Sequence, residues 1–239
     1  MRVISIFICV FLCGSLSEAC AEDITPSFSQ KLDIQVRYDN RSNRPSREQY
    51  RLRYYPSLAL TSTWSVNSFI VTGDDFSSSH NTFGSDTTDY LYARRLYLRH
   101  ETNAGKTELG IIPTYKGRVS STGLSKDGWI TGIRHVRKLQ NNTALEIVVG
   151  QLANAEASEA FNVGEEDEYF EIEYSAKMGG RHSYEASFER MLNGTFARAE
   201  YRFRINEEDT AFVELVQRTD ESAAKIVVGT SGEFAASAF

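Results

Sequence analysis

From residue 31 onward, apolar and polar positions alternate with period two rather than at helical spacing, the signature of half-buried strands. In 31–38, Leu32, Ile34, Val36 and Tyr38 share one face, and Lys31, Asp33, Gln35 and Arg37 share the other. In 50–55, Tyr50, Leu52 and Tyr54 alternate with Arg51, Arg53 and Tyr55. The pattern predicts further strands at 64–73, 89–100, 106–113, 129–138, 143–152, 168–176, 183–189, 197–205, 210–218 and 224–230. The faces of 89–100 are the least regular. Arg94 and Arg95 are neighbours there, so strict alternation sends them to opposite sides.

The connections carry a second pattern. Counted from the first strand, the even-numbered ones are short (59–63, 101–105, 139–142, 177–180 and 206–209), and the long ones (74–88, 114–128 and 153–167) follow strands three, five and seven. Turn residues mark the breaks: Asn103-Ala104-Gly105, Asn141-Asn142, Gly179-Gly180 and Asn193-Gly194. Short turns on one side with long loops on the other characterise a transmembrane β-barrel, whose strands need only ~9–11 residues when tilted. The long connections, around Ser79, Ser121 and Glu159, are expected to face outside the cell.

Composition sharpens this picture. A mean hydropathy of −0.37 is compatible with a membrane barrel, because only alternate strand residues meet lipid. A net charge of −6 argues against a general nucleic-acid binder. Arg2, the apolar run 4–12 and Ala19-Cys20-Ala21 read as a secretory signal over 1–21, leaving 22–239 as one barrel domain. Lipoprotein processing at Cys20 fits less well, because Glu18 stands where a small residue is wanted. Cys9, Cys13 and Cys20 all fall in that leader, so the mature chain is expected to hold no disulfide and no cysteine metal site.

The expected fold is therefore all-β: a closed antiparallel up-and-down transmembrane barrel of about twelve strands, with ten as the fallback. In hydrocarbon every backbone N–H and C=O must pair within the protein, and a sheet achieves this by closing on itself. A soluble β-sandwich or lectin-like domain is the rival. Tyr38, Tyr54, Tyr90, Tyr92, Trp129, Tyr174 and Tyr201, near strand ends, are expected as interfacial girdles.

If the apolar faces meet lipid, the other faces line a lumen. Arg37, Arg51, Arg53, Arg95, Arg99, Arg198, Arg202 and Arg204 are assigned inward, with Glu171, Glu173, Glu185 and Glu189 concentrated on the eighth and ninth strands. Arginine grips carboxylate or sulfate with two parallel hydrogen bonds and keeps its charge at any relevant pH. Basic and acidic walls would impose a transverse field on a passing solute. The plainer alternative is a plugged lumen in which these charges only pair across strands. Outer-membrane lipid and small hydrophilic solutes are the expected partners; no nucleic acid, cofactor or metal is expected, and the oligomeric state is left open.

An exported, cysteine-free chain with arginine-rich inner faces and a final Phe239 resembles the bacterial porins. It is nearest in look to the small oligosaccharide-specific channels that pass acidic sugars such as oligogalacturonates. The stretch Leu32 through Tyr38, followed by the Arg51/Arg53 strand, carries most of this resemblance. It departs from the usual barrel ending in Ala235-Ala236-Ser237-Ala238 before the terminal aromatic. The resemblance implies a passive outer-membrane channel, not an enzyme. Outer-membrane lipid-modifying enzymes use a Ser/His pair, and His80, His100, His135 and His182 show no triad spacing. The acidic runs Asp74-Asp75 and Glu165-Glu166-Asp167-Glu168 read as solvated loop charge before calcium ligands. The basic, small-residue-rich stretch 116–128 reads as an exposed loop or, alternatively, a constriction folded into the lumen.

Overall fold

The computed structural model describes residues 25–41, 44–73, 79–84, 90–114, 127–152, 156–162, 168–191 and 194–232. The expected leader, the terminal Phe239, Asp74-Asp75, Glu165 to Asp167 and residues 116–126 lie outside these. The described chain forms one thirteen-stranded sheet. In chain order the strands are β1 (Ser27–Arg41), β2 (Arg44–Ala59), β3 (Trp64–Thr72), β4 (Asn81–Thr82), β5 (Leu91–Thr102), β6 (Gly105–Pro113), β7 (Trp129–Lys138), β8 (Thr143–Gln151), β9 (Tyr169–Met178), β10 (His182–Met191), β11 (Gly194–Arg204), β12 (Thr210–Arg218) and β13 (Ala223–Ser231). Every pairing is antiparallel, and the twelve long strands pair in chain order, so the topology is up-and-down; β4 alone stands off this path, against β2.

The twelve long strands are the twelve read from the pattern. The thirteenth, β4, comes from the first long connection. It pairs with β2 at Gln49↔Thr82 and Tyr50↔Asn81, extending the wall beyond the end of β3. The path of pairings runs from β1 to β13, which stand as its two ends among the described residues.

Local chemistry accounts for the short turns. Asn141 and Asn142 both adopt positive φ, 61° and 56°, as do Gly179 and Gly180 at 57° and 72°. Two successive left-handed residues make the hairpin turn whose twist matches that of the strands, and asparagine and glycine adopt it at least cost.

Alternation sorts the side chains onto two faces. The outer one is exposed and apolar: Leu32, Ile34 and Val36 on β1, Leu109 on β6, Ile133 on β7, Ile147 and Val149 on β8, Phe170 and Ile172 on β9, and Val213 and Leu215 on β12. Aromatic rings gather near the strand ends of this face, with Trp64 stacked on His100, Tyr174 beside Tyr184, and His182 hydrogen-bonded to Tyr201. Of the aromatics expected there, Tyr38, Tyr90, Tyr174 and Tyr201 are exposed and Tyr54 is half-buried. Trp129 is buried on the inner face, and Tyr92 packs against the same interior cluster. Both stand near strand ends, and the inner rim is as available to an aromatic there as the outer one.

The inner face is mixed. Near the long-loop ends of the strands, Ile112, Trp129, Ile130, Leu152, Tyr169 and Met191 form an apolar cluster. A 3-10 turn, Ala157–Glu159, folds in from the connection after β8 and buries Ala157 and Ala160 against it. Towards the short turns the inner face becomes almost entirely charged.

Two local features shape this inner face. Gly132 and Gly150 face each other across β7 and β8; a Cβ on Gly132 would lie 2.2 Å from the Val149 carbonyl oxygen. The second is a bulge on β5. The register steps from Phe69↔Arg95 to Ile70↔Ala93, leaving Arg94 as an extra residue. Arg94 and Arg95 therefore both turn inward and are buried. This corrects the expectation that these neighbours point opposite ways.

Candidate functional site

The inner face divides into two charged regions. One spans β6 to β12. Arg134, fully buried, donates from Nη1 to Glu108 Oε2 at 2.9 Å, from Nε to Glu146 Oε1 at 2.8 Å, and from Nη2 to the Pro113 carbonyl at 2.8 Å. Arg198 is the second hub. Its Nη2 lies 2.8 Å from Glu185 Oε1 and 3.3 Å from Glu173 Oε2, while Glu189 and Glu214 stand 4.0 and 3.9 Å from its other nitrogens. Arg202 pairs with Glu200 and lies 3.3 Å from Glu185. Arg99 and Lys106 converge on Glu108. Tyr169 donates to Glu171, and Ser187 donates to Glu189.

The register makes this crowding unavoidable. Glu146 stands opposite Glu173, Glu171 opposite Glu189, and Glu200 between Glu185 and Glu214. Directly opposed like charges repel. They are tolerable here because guanidinium groups lie among them, each offering donors in several directions. Glu108, Glu189 and Glu214 are 0 % exposed, so this region acts as an internal scaffold of ion pairs in which carboxylates outnumber the cations among them.

The other region lies on β1 and β2, with loop residues folded over it. Along the β1–β2 ladder Asp33 stands opposite Arg53, Gln35 opposite Arg51, and Arg37 opposite Gln49. Arg37 is exposed and donates from Nε and Nη2 to Gln49 Oε1 at 2.8 and 2.6 Å. Arg53 donates to Asp127 Oδ2 at 2.7 Å. Arg51, half-buried between them, makes no hydrogen bond or ion pair among the described residues, and its Nε is a buried donor without a partner. Tyr55 stacks on Phe69 at 4.8 Å, and Arg95 lies over the other ring of that pair, 4.6 Å from the Phe69 centroid.

The loops reach into this region. Ser79 is buried and donates to Asp127 Oδ2 at 2.6 Å. Within this connection, Ser79 therefore turns inward, toward the β2 wall. Asp127 and Gly128 are buried too, so the end of the 116–128 stretch lies inside rather than in solvent. Burial alone would raise the Asp127 carboxyl, but hydrogen bonds from Ser79 and Arg53 and the charges of Arg53 and Arg95 hold it below its ordinary range. His80 contacts Gln35 at 3.2 Å. Burial, joined by the positive charges of Arg37, Arg51 and Arg53, pushes its imidazole down to about 4, so it is neutral at physiological pH.

All twelve residues singled out from the sequence fall on the inner-face side of the alternation, but in different settings. Glu171, Glu189, Arg95 and Arg198 are buried; Glu173, Glu185, Arg51, Arg53, Arg99 and Arg202 are half-buried; Arg37 and Arg204 are exposed. Sequence reasoning missed Arg94, Glu108, Arg134, Glu146, Glu214 and Asp127. For Glu108, Arg134, Glu146 and Glu214 a signal existed: each is next to an outward Leu109, Ile133, Ile147 or Leu215, so its parity was readable. For Arg94 and Asp127 none existed, since one depends on a bulge and the other on a loop. Among the described residues no group of histidine and acidic side chains is arranged to hold a metal ion.

No family model matches the chain, and no curated protein is similar to it. Among solved structures, a triple mutant of the porin of Rh. blastica is similar, with a TM-score of 0.55 and 11% identity over 89% of this chain and 81% of that one. An outer membrane protein of Vibrio cholerae, OmpT, folded in vitro and in its trimer form, gives 0.34 with 11% identity over 89% and 85%. The first likeness shows a porin-type up-and-down antiparallel sheet.

Proposed function

We propose that this chain is an outer-membrane β-barrel that lets small hydrophilic solutes, preferentially anionic ones, cross by passive diffusion along its β1–β2 wall. The observation that carries this reading is the contrast between the two charged regions. Across β6 to β12, Arg134, Arg198 and Arg202 are committed to carboxylates. On β1 and β2, Arg37 bonds the neutral Gln49, Arg53 bonds Asp127, and Arg51 between them makes no hydrogen bond or ion pair among the described residues. A guanidinium in that state offers a transient fork to a carboxylate, sulfate or phosphate. The acidic scaffold opposite would keep such a solute from binding too tightly. Acidic oligosaccharides fit this chemistry as a substrate class.

The membrane setting rests on the outer face. An arginine facing lipid at mid-bilayer costs ~2–4 kcal/mol, and the outer face carries apolar side chains where the inner face carries the arginines. In this reading β1 and β13, the two ends of the path, pair with each other. Both carry outward apolar residues exposed well beyond those of the inner strands, such as Ile34 at 66% and Val228 at 76%. An even number of long strands lets that closing pair be antiparallel like the rest.

A plugged, purely structural barrel is the second reading. What favours it is the full burial of the Arg134 and Arg198 hubs and the apolar cluster capped by Ala157 and Ala160. Conductance of the purified protein in planar bilayers decides between them. The channel reading expects discrete steps with anion preference, reduced by Arg51→Ser; a silent bilayer with correctly folded protein would select the plugged barrel.

A further inference from the structure

The roots of two long loops meet inside the molecule at one carboxylate. Asp127 ends the connection between β6 and β7, and Ser79 lies in the connection between β3 and β4. Both are buried, and Ser79 Oγ donates to Asp127 Oδ2 at 2.6 Å. The same oxygen accepts from Arg53 on the β2 wall at 2.7 Å. The supports around it serve the same end. The Thr72 hydroxyl donates to the Ser79 carbonyl at 2.8 Å and accepts from the Leu52 amide at 3.1 Å, tying the start of the first loop to β2. The β5 bulge supplies the rest: Arg94 donates to the Gly73 carbonyl at 2.5 Å, and Arg95 to the Gly128 carbonyl at 2.8 Å. One bulge thus presents two adjacent guanidinium groups to the roots of two different loops.

We propose that Asp127 is a latch: it fastens both long loops to the β2 wall and so sets the free width and the charge of the lumenal route beside Arg51. This rests on the transport reading. The physical reason for a single carboxylate here is double duty. A carboxylate accepts several charge-assisted hydrogen bonds at once, so one side chain can hold a hydroxyl from one loop and a guanidinium from the wall. Its negative charge also offsets part of the Arg51, Arg53 and Arg95 field. Releasing it would free the loop roots and make the wall more basic.

Two variants separate these effects. Asp127→Asn removes the charge and weakens both bonds; Ser79→Ala removes one latch bond and changes no charge. In planar bilayers Asp127→Asn should convert quiet steps into fluctuating ones and raise anion preference, while Ser79→Ala should add fluctuation with selectivity unchanged. Heat-modified electrophoretic mobility checks that each variant has folded. If the wild type conducts and both variants match it in noise and selectivity, the latch is refuted and the channel stands. If the wild type is silent, the transport reading fails, and the latch is judged by proteolysis in detergent. Trypsin cleavage after Lys126 should then accelerate at least about tenfold in Asp127→Asn, because charge-assisted bonds restrain that root. An unchanged cleavage rate would refute the latch independently of transport. A disulfide formed by Ser79→Cys with Asp127→Cys should restore quiet steps, or slow cleavage; failure to form it in folded protein counts against the geometry itself.

Discussion

Arginines on the same inner face do two different jobs, and burial with partners distinguishes them. Arg198 is buried among Glu173, Glu185, Glu189 and Glu214, so removing it takes a shared counter-charge from four carboxylates, of which Glu189 and Glu214 are fully buried. Arg198→Met should cost ~3–5 kcal/mol of stability, the usual penalty for breaking a buried pair on one side. Arg51→Ser leaves no hydrogen-bond or ion-pair partner behind among the described residues and should cost roughly 1 kcal/mol or less. Urea unfolding in lipid vesicles reads both; equal losses would mean that Arg51 is as structural as Arg198. His80 gives a pH signature. Its ordinary value of 6.5 is pushed down to about 4 by burial and by Arg37 on β1 and Arg51 and Arg53 on β2, with Asp127 opposing. The unfolded chain therefore takes up a proton that the folded chain refuses as pH falls from about 6.5 towards 4. Stability contributed at this position should be present above that window and decline through it. His80→Gln should flatten the decline; a wild-type midpoint that stays level from pH 7 to pH 5 would contradict it. Asp127 acts in the same sense in a lower window: its ion pair persists through this range, and its contribution declines only as pH falls below its ordinary value of 3.8.

At the scale of elements, the strands are local products of alternation, but two places depart from it. The Gly132 and Gly150 pair lets the backbones of β7 and β8 approach closely, and the β5 bulge re-aims two arginines. Gly132→Val puts a branched side chain where backbone atoms of Val149 and Gly150 already lie within 3.0 Å of a Cβ. The expected loss is about 1–3 kcal/mol or more, seen as a lower unfolding midpoint on heat-modifiability gels. Gly179→Ala, in an open two-residue turn with nothing within 4 Å of the added carbon, should cost less, chiefly backbone strain at its positive φ. A ranking in the reverse order would mean that the turn, and not the close approach of β7 and β8, limits folding.

For the whole molecule, the decisive question is what β1 and β13 meet. With Ile34→Cys on β1 combined in turn with Ala224→Cys, Ile226→Cys, Val228→Cys or Thr230→Cys on β13, one or two neighbouring combinations should form an intramolecular disulfide in folded protein. Disulfide-linked dimers in place of the intramolecular bond would mean that each edge pairs with another copy. Closure matters because the edges present rows of unpaired backbone groups, which hydrocarbon does not tolerate.

The alternation of side chains, the twelve long strands, the turn sites and the inward direction of the arginines on β1, β2 and β11 were all legible in the sequence. Each follows from a local rule: the strand period is two, so one residue sets the face of its whole strand, and Asn141-Asn142 or Gly179-Gly180 announces a left-handed turn. Only the tertiary structure decided which charges are spent and which are free. Arg198 and Arg51 both alternate with apolar neighbours, yet one is surrounded by glutamates brought from β9, β10 and β12 and the other faces none. The same holds for Arg94, turned inward by a bulge opposite Phe69 and Ile70, and for Asp127, placed against Arg53 by a loop whose return to β2 no local pattern encodes. Hydrogen bonds and ion pairs across 25 or 74 residues of chain depend on strand register and loop path. Those are set by the summed packing of the sheet, whereas the period of a strand is set by its own backbone.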